Sequence, residues 1–146
     1  MAVQTVKAEI KSVGGLKMQC TAREFKYFLD EPEESGGSNE GMNPGESLLC
    51  ALGGCKCIVA KIFSKEHKIN LESLKVEVEG EIDPDGFLGK NINAKIGFSK
   101  ITTKYYIKSR NTREEINDFI FRVEHNCPMK DTIVNAPEMN LQINFE

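Results

Sequence analysis

Two cysteines stand in settings that simple core packing does not require. Cys55 closes the run Asn43-Pro-Gly-Glu-Ser-Leu-Leu-Cys-Ala-Leu-Gly-Gly-Cys55, and Cys127 lies between Asn126 and Pro128, 72 positions later. A thiol in an apolar helix and a second at a helix entrance suggest dithiol redox chemistry. At a helix start, free backbone N–H groups favour a thiolate, so Cys127 is expected to have a lowered pKa, with His125 and Lys130 close by in sequence. Cys55, in apolar surroundings, is expected to have a raised pKa unless the fold brings a cation to it. Taken alone, Cys55 reads as packing.

The other three cysteines, Cys20, Cys50 and Cys57, read as small hydrophobes. Cys57 lies ~200° round the helix from Cys55, so that pair cannot address one site. A zinc site built from Cys50 and Cys57 with His67 or His125 lacks a close CxxC pair.

The elements that must position these thiols follow from pattern. Val3 to Ser12 alternates and reads as a strand, Gly14-Gly15 turns it, and Leu16 to Ala22 and Phe25 to Asp30 continue a meander. Glu31 to Pro44 is acidic, glycine-bearing and aperiodic, which reads as a loop. A helix is expected from about Gly45 to His67, with Glu46 in its first turn complementing the helix dipole. Its apolar face comprises Leu48, Ala51, Leu52, Cys55, Ile58, Val59, Ile62 and Phe63. The adjacent Gly53 and Gly54 cost roughly 1 kcal/mol each against Ala, which points to close approach by another element, with a symmetry mate as the second cover.

Leu74 to Ile82 is a period-two strand, Asp83 to Gly86 a turn, and Ile92 to Ser109 a further strand bent near Gly97. Thr112 and Glu115 form a capping box for the next helix. Pro128 breaks that helix and opens a short one, and Met139 to Phe145 alternates as a closing strand. Strands and helices in this order give an α+β fold with antiparallel sheets.

With 146 residues, one domain spanning 1–146 is expected. The formal charge of −3 and the lack of a dense Lys/Arg cluster argue against nucleic acid. The longest uncharged run, Ser47 to Cys55, falls short of the ~18–20 residues of a membrane span. No basic-then-apolar leader is evident, and five cysteines, an odd count, read as reduced thiols. The expected setting is cytoplasmic, with no membrane partner.

Asn43-Pro44, Glu46, Leu48-Leu49, Ala51-Leu52 and Cys55, preceded by a glycine-rich acidic stretch, resemble the central-helix signature of the OsmC/Ohr family. His125-Asn-Cys127-Pro-Met-Lys-Asp-Thr-Ile is similar to that family's second cysteine motif, and the order of elements matches along nearly the whole chain. The resemblance implies an intertwined homodimer with antiparallel sheets around long central helices. It also implies thiol-dependent reduction of organic hydroperoxides in peroxide or osmotic stress defence.

Carried over, Cys55 would be the peroxidatic thiol and Cys127 its resolving partner. Glu46 would match the glutamate that orients a catalytic arginine. No metal or organic cofactor is implied, only an external thiol or lipoyl-type dithiol as reductant. Glu46 and Cys55, nine residues apart on one helix, lie ~13 Å apart on opposite sides. A shared site would therefore take Glu46 from the partner chain.

One departure stands out: the early hairpin reads Val13-Gly14-Gly15-Leu16, where the family carries its arginine, and Arg23 falls in the next turn. That places the chain with a divergent branch. A thiolate fraction lowered by one pKa unit slows a nucleophile about tenfold. The alternative is a non-catalytic dimer of the same fold, binding an apolar small molecule at the subunit interface.

Overall fold

The computed structural model describes residues Met1–Glu146 and is α+β, as expected. The chain divides into two compact units, Met1–Leu49 and Cys50–Glu146.

The first unit is built on a three-stranded antiparallel meander, β1 (Glu9–Ser12), β2 (Met18–Ala22) and β3 (Phe25–Leu29). Ser12 faces Met18 across β1 and β2, and Ala22 faces Phe25 across β2 and β3. The second of these turns holds Arg23 at φ 54, a left-handed conformation that costs a non-glycine residue free energy. Residues 3–8, expected to be strand, pair with nothing.

The acidic loop after β3 is organised around Asp30, which is buried. Its carboxylate accepts N–H bonds from Glu31 at 2.8 Å and from Ser38 and Glu40 at 3.2 Å. The Glu31 N–H bond outweighs burial and, with those from Glu40 and Ser38 and the charge of Lys17, holds the Asp30 carboxyl below its ordinary range. A depressed carboxylate stabilises the fold above its unfolded pKa, about 3.9, and that contribution is lost as pH falls through the lower folded value. Hydrogen-exchange protection at Ser38 and Glu40, measured against the intrinsic rate at each pH, is therefore expected to fall in acid below about pH 4. Asp30→Asn should bring that lower protection to neutral pH.

Gly37 is required by close approach, since a Cβ there would sit 1.9 Å from the Glu31 carbonyl oxygen. Gly37→Ala should loosen this loop, read as faster proteolysis between residues 31 and 41.

Helix α1 (Pro44–Glu66) opens with a reciprocal cap. Asn43 Oδ1 accepts from the Glu46 N–H, and Glu46 Oε2 accepts from the Asn43 N–H, both at 2.8 Å. This is the capping-box logic with asparagine in the leading position.

In the second unit, β4 (Ser73–Glu81) and β5 (Lys100–Lys108) pair antiparallel from Ser73↔Lys108 to Glu81↔Lys100. Between them lies a short helix, α2 (Pro84–Phe87), capped by Asp83. The strand expected from Ile92 forms only from Lys100, because the ladder ends where β4 ends at Glu81 and residues 92–99 turn instead.

Helix α3 (Arg113–His125) has the expected capping box between Thr112 and Glu115. Helix α4 (Pro128–Val134) follows, with Pro128 at its first turn. Val59 and Ala60 of α1 form the core with Phe119 and Val123 of α3.

The inward face of α1 differs from the one periodicity indicates. Leu52, Gly53, Lys56, Val59, Ala60 and Ser64 are buried, while Ala51, Ile58 and Ile62 are exposed. Gly53 faces β4, where a Cβ would meet Val78 Cγ2 at 3.0 Å, whereas Gly54 faces open space. Cys55 lies at the seam between the two faces, half-buried.

By length and composition α1 is apolar enough to cross a membrane. Here its inner residues pack against α3.

The closing strand is absent. Met139, Leu141, Ile143 and Phe145 alternate but remain exposed and unpaired. A strand needs an adjacent edge to complete its hydrogen bonds, and no edge of this chain takes this segment.

Candidate dithiol site

The site is assembled from α1 beyond Leu49, β5, α3 and α4, all within the second unit. The α3 to α4 junction follows from local sequence: α3 ends at His125, and Pro128, lacking an N–H, suits the first turn of a new helix. Cys127 is left at the capping position, where its sulfur accepts the Lys130 N–H at 3.5 Å. It is 1% exposed.

Cys55 reaches this point from the seam of α1. The Cys55 thiol lies close enough to Cys127 to act on its titration. Residues remote in sequence have become neighbours within one chain.

Burial pushes the Cys127 thiol up, and the Cys55 thiol pushes it further. The Lys130 and Met129 N–H groups pull the other way without winning. This reverses the lowered pKa expected of a helix entrance, because the desolvation that comes with a buried cap disfavours the charged form. Lys130 contributes its backbone N–H, while its ammonium turns to Glu124. Cys127 should therefore resist iodoacetamide at neutral pH while the exposed Cys50 reacts, checked by peptide mass after timed labelling.

Beside the thiols lies a network of charges. Lys56, next to Cys55 in sequence, has a side chain 5% exposed, paired to Glu124 Oε1 at 2.8 Å, and donates to Thr103 Oγ1 at 2.6 Å. Glu124 Oε1 also accepts from the Tyr105 hydroxyl at 2.6 Å, and Oε2 pairs with Lys130 Nζ at 3.0 Å. Burial alone would raise the Glu124 carboxyl, but the hydrogen bonds from Lys56, Tyr105 and Lys130 outweigh it and hold it below the ordinary range. Burial first, then the bond to Glu124 and its charge, push the Tyr105 phenol well up, and the charges of Cys127 and Cys57 add to this.

These polar groups line a cavity of about 510 Å³ whose walls are otherwise Leu52, Ile101, Ile120, Ile133 and Val134. No three His, Cys, Asp or Glu side chains converge to hold a metal.

The family model for OsmC-like proteins matches residues 37–142, which span both cysteine motifs and every element from α1 to α4. This chain belongs to the OsmC-like protein family. Among relatives of this OsmC-like chain, a hydroperoxide reductase of Mycoplasma pneumoniae is 25% identical over 131 residues, covering 87% of this chain and 85% of that protein. A hydroperoxide reductase of Mycoplasma genitalium is 26% identical over 123 residues, covering 82% and 79%. The crystal structure of an OsmC-like protein from Mycoplasma pneumoniae superposes with a TM-score of 0.77 at 22% identity, covering 91% of this chain and 89% of that one.

Of the three site residues expected from sequence, Cys55 and Cys127 come together. Glu46 is placed in the first turn of α1 with its carboxylate on the Asn43 N–H. Arg23, the N-terminal arginine, lies over the Phe25 ring at 4.9 Å and 4.0 Å from Glu24. Sequence reading missed Lys56, Glu124, Tyr105 and Thr103. A signal for the first was present: Lys56 is the sole charged residue between Glu46 and Lys61 in an apolar helix. The remaining three come from other elements and carry no local mark.

Proposed function

We propose that this OsmC-like protein reduces organic hydroperoxides, with Cys55 attacking and Cys127 resolving. The observation carrying this reading is the approach of the two thiols within one chain. The Cys55 thiolate attacks the outer peroxide oxygen; the O–O bond breaks, the alkoxide takes a proton and leaves as an alcohol, and Cys55 becomes a sulfenic acid. Cys127 sulfur then attacks that sulfenic sulfur; the S–O bond breaks, an S–S bond forms, and the hydroxyl leaves with the Cys127 proton as water. An external dithiol, of simple thiol or lipoyl type, returns both sulfurs to thiols and is itself oxidised to a disulfide.

A protonated, buried Cys127 suits the second role better than the first. Its thiol keeps the proton that the departing hydroxyl needs, and little thiolate is present to compete for peroxide.

The working unit in this reading is a homodimer. The exposed stripe Ala51, Ile58 and Ile62 on α1 and the unpaired alternating tail 139–145 are the apolar surfaces a second copy would cover. Glu46 would act on a site of the partner chain.

A thiol titration after one equivalent of cumene hydroperoxide tests the chemistry. Rapid loss of two thiols per chain, abolished in Cys55→Ser, supports it. The cavity with apolar walls and a lysine pair favours a second reading, a protein that binds an apolar small molecule. An unchanged thiol count leaves that reading in place and rejects the first.

A further inference from the structure

Glu124 joins the two cysteine-bearing helices through one carboxylate. Lys56 belongs to the same turn of α1 as Cys55 and meets Oε1 at 2.8 Å. Lys130 belongs to the first turn of α4 and meets Oε2 at 3.0 Å, while its backbone N–H caps the Cys127 sulfur. Tyr105 and Thr103 fix the inner arm from β5, by bonds to Glu124 and to Lys56 at 2.6 Å each.

Each cysteine is thus within one helical turn of a lysine whose ammonium ends on the same half-buried glutamate. Such a linkage is stiff, because charge-assisted bonds are short and the Lys56 arm is almost entirely shielded from water.

We propose that Glu124 is a positioning residue for the thiol pair, setting the separation of the Cys55 and Cys127 sulfurs and with it the rate of disulfide closure. The inference rests on reading the pair as redox-active. Disulfide geometry is narrow, with Cβ atoms about 3.5–4.5 Å apart, and a misplacement of about 1 Å can cost on the order of 100-fold in rate. Attack on peroxide needs only Cys55. Condensation needs both sulfurs at bonding distance: Cys55 sulfenic acid and Cys127 thiol become a disulfide and one water. Loosening the clamp therefore acts on the second step and leaves the first alone.

The two steps separate in rapid mixing of the full-length protein with one equivalent of cumene hydroperoxide. Peroxide loss reports the first, and dimedone capture of the sulfenic acid against disulfide yield reports the second. Glu124→Gln keeps the size of the side chain and removes its charge. The expected result is peroxide consumption within about twofold of the parent, with closure slowed about 10–100-fold and Cys55 trapped by dimedone. Glu124→Asp, which restores the charge, should recover part of the closure rate.

Closure at the parent rate in Glu124→Gln overturns the proposal, as does an equal fall in both steps. Should Glu124→Gln fail to fold, Lys130→Met cuts only the outer, more exposed arm. Delayed closure there supports the clamp, and unchanged closure overturns it. If the unsubstituted protein forms neither sulfenic acid nor disulfide, it is the redox reading itself that fails.

Discussion

Cys55→Ser is expected to remove hydroperoxide reduction by on the order of 10³-fold or more, the scale of losing an activated nucleophile. A serine hydroxyl has the same reach but stays protonated at neutral pH and cannot accept the peroxide oxygen as a thiolate does. The neighbouring Cys127 cannot substitute, since burial and the adjacent thiol hold it in the neutral form. Cys127→Ser should behave differently. One peroxide per chain is consumed, Cys55 stops at the sulfenic acid, and turnover ceases. Coupled peroxide-consumption assays on both variants, with thiol counts before and after, check the pair together.

The next expected loss is in stability. Glu124→Leu leaves the Lys56 ammonium, with a side chain 5% exposed, bound only to Thr103. Breaking a buried pair by removing one partner costs roughly 3–5 kcal/mol, because the remaining charge has lost both water and counter-charge. Lys56→Met with Glu124→Leu should cost less than Glu124→Leu alone, since the uncompensated charge goes too. Urea unfolding of the two variants and the parent measures this; equal loss in single and double variants would contradict the assignment.

The glutamate also sets a pH dependence. Its depressed carboxyl stabilises the fold above its unfolded pKa, about 4.3, and that contribution disappears as pH falls through the lower folded value. Glu124→Leu should flatten the acid limb of the parent's stability profile.

What the sequence reveals divides along local and non-local lines. The Thr112–Glu115 box and the Pro128 helix start were legible because their partners lie within three residues. Helix α1 was legible within a residue at each end for the same reason: Asn43, Pro44 and Glu46 mark its beginning. Its buried face was not. An apolar residue such as Ile58 records that something will cover it, not that the cover belongs to the same chain.

The tail 139–145 makes the same point for strands, since alternation prepares a segment for pairing without supplying an edge. The two cysteines stood out through their motifs. The polar groups around them did not, because Lys56, Thr103, Tyr105 and Glu124 come from three elements whose meeting only the fold decides. The raised Cys127 pKa was hidden similarly: a helix entrance was visible in Asn126-Cys127-Pro128, but its burial was not.

Peptide mass spectrometry of the full-length protein, quenched by alkylation after one equivalent of organic hydroperoxide, reads the sulfur pairing directly. A Cys55 peptide cross-linked to the Cys127 peptide, two hydrogens lighter than the separate pair and reversed by a dithiol, is the expected product. Both peptides recovered singly alkylated, or Cys55 oxidised onward while Cys127 stays a free thiol, would contradict a redox pair at these two positions.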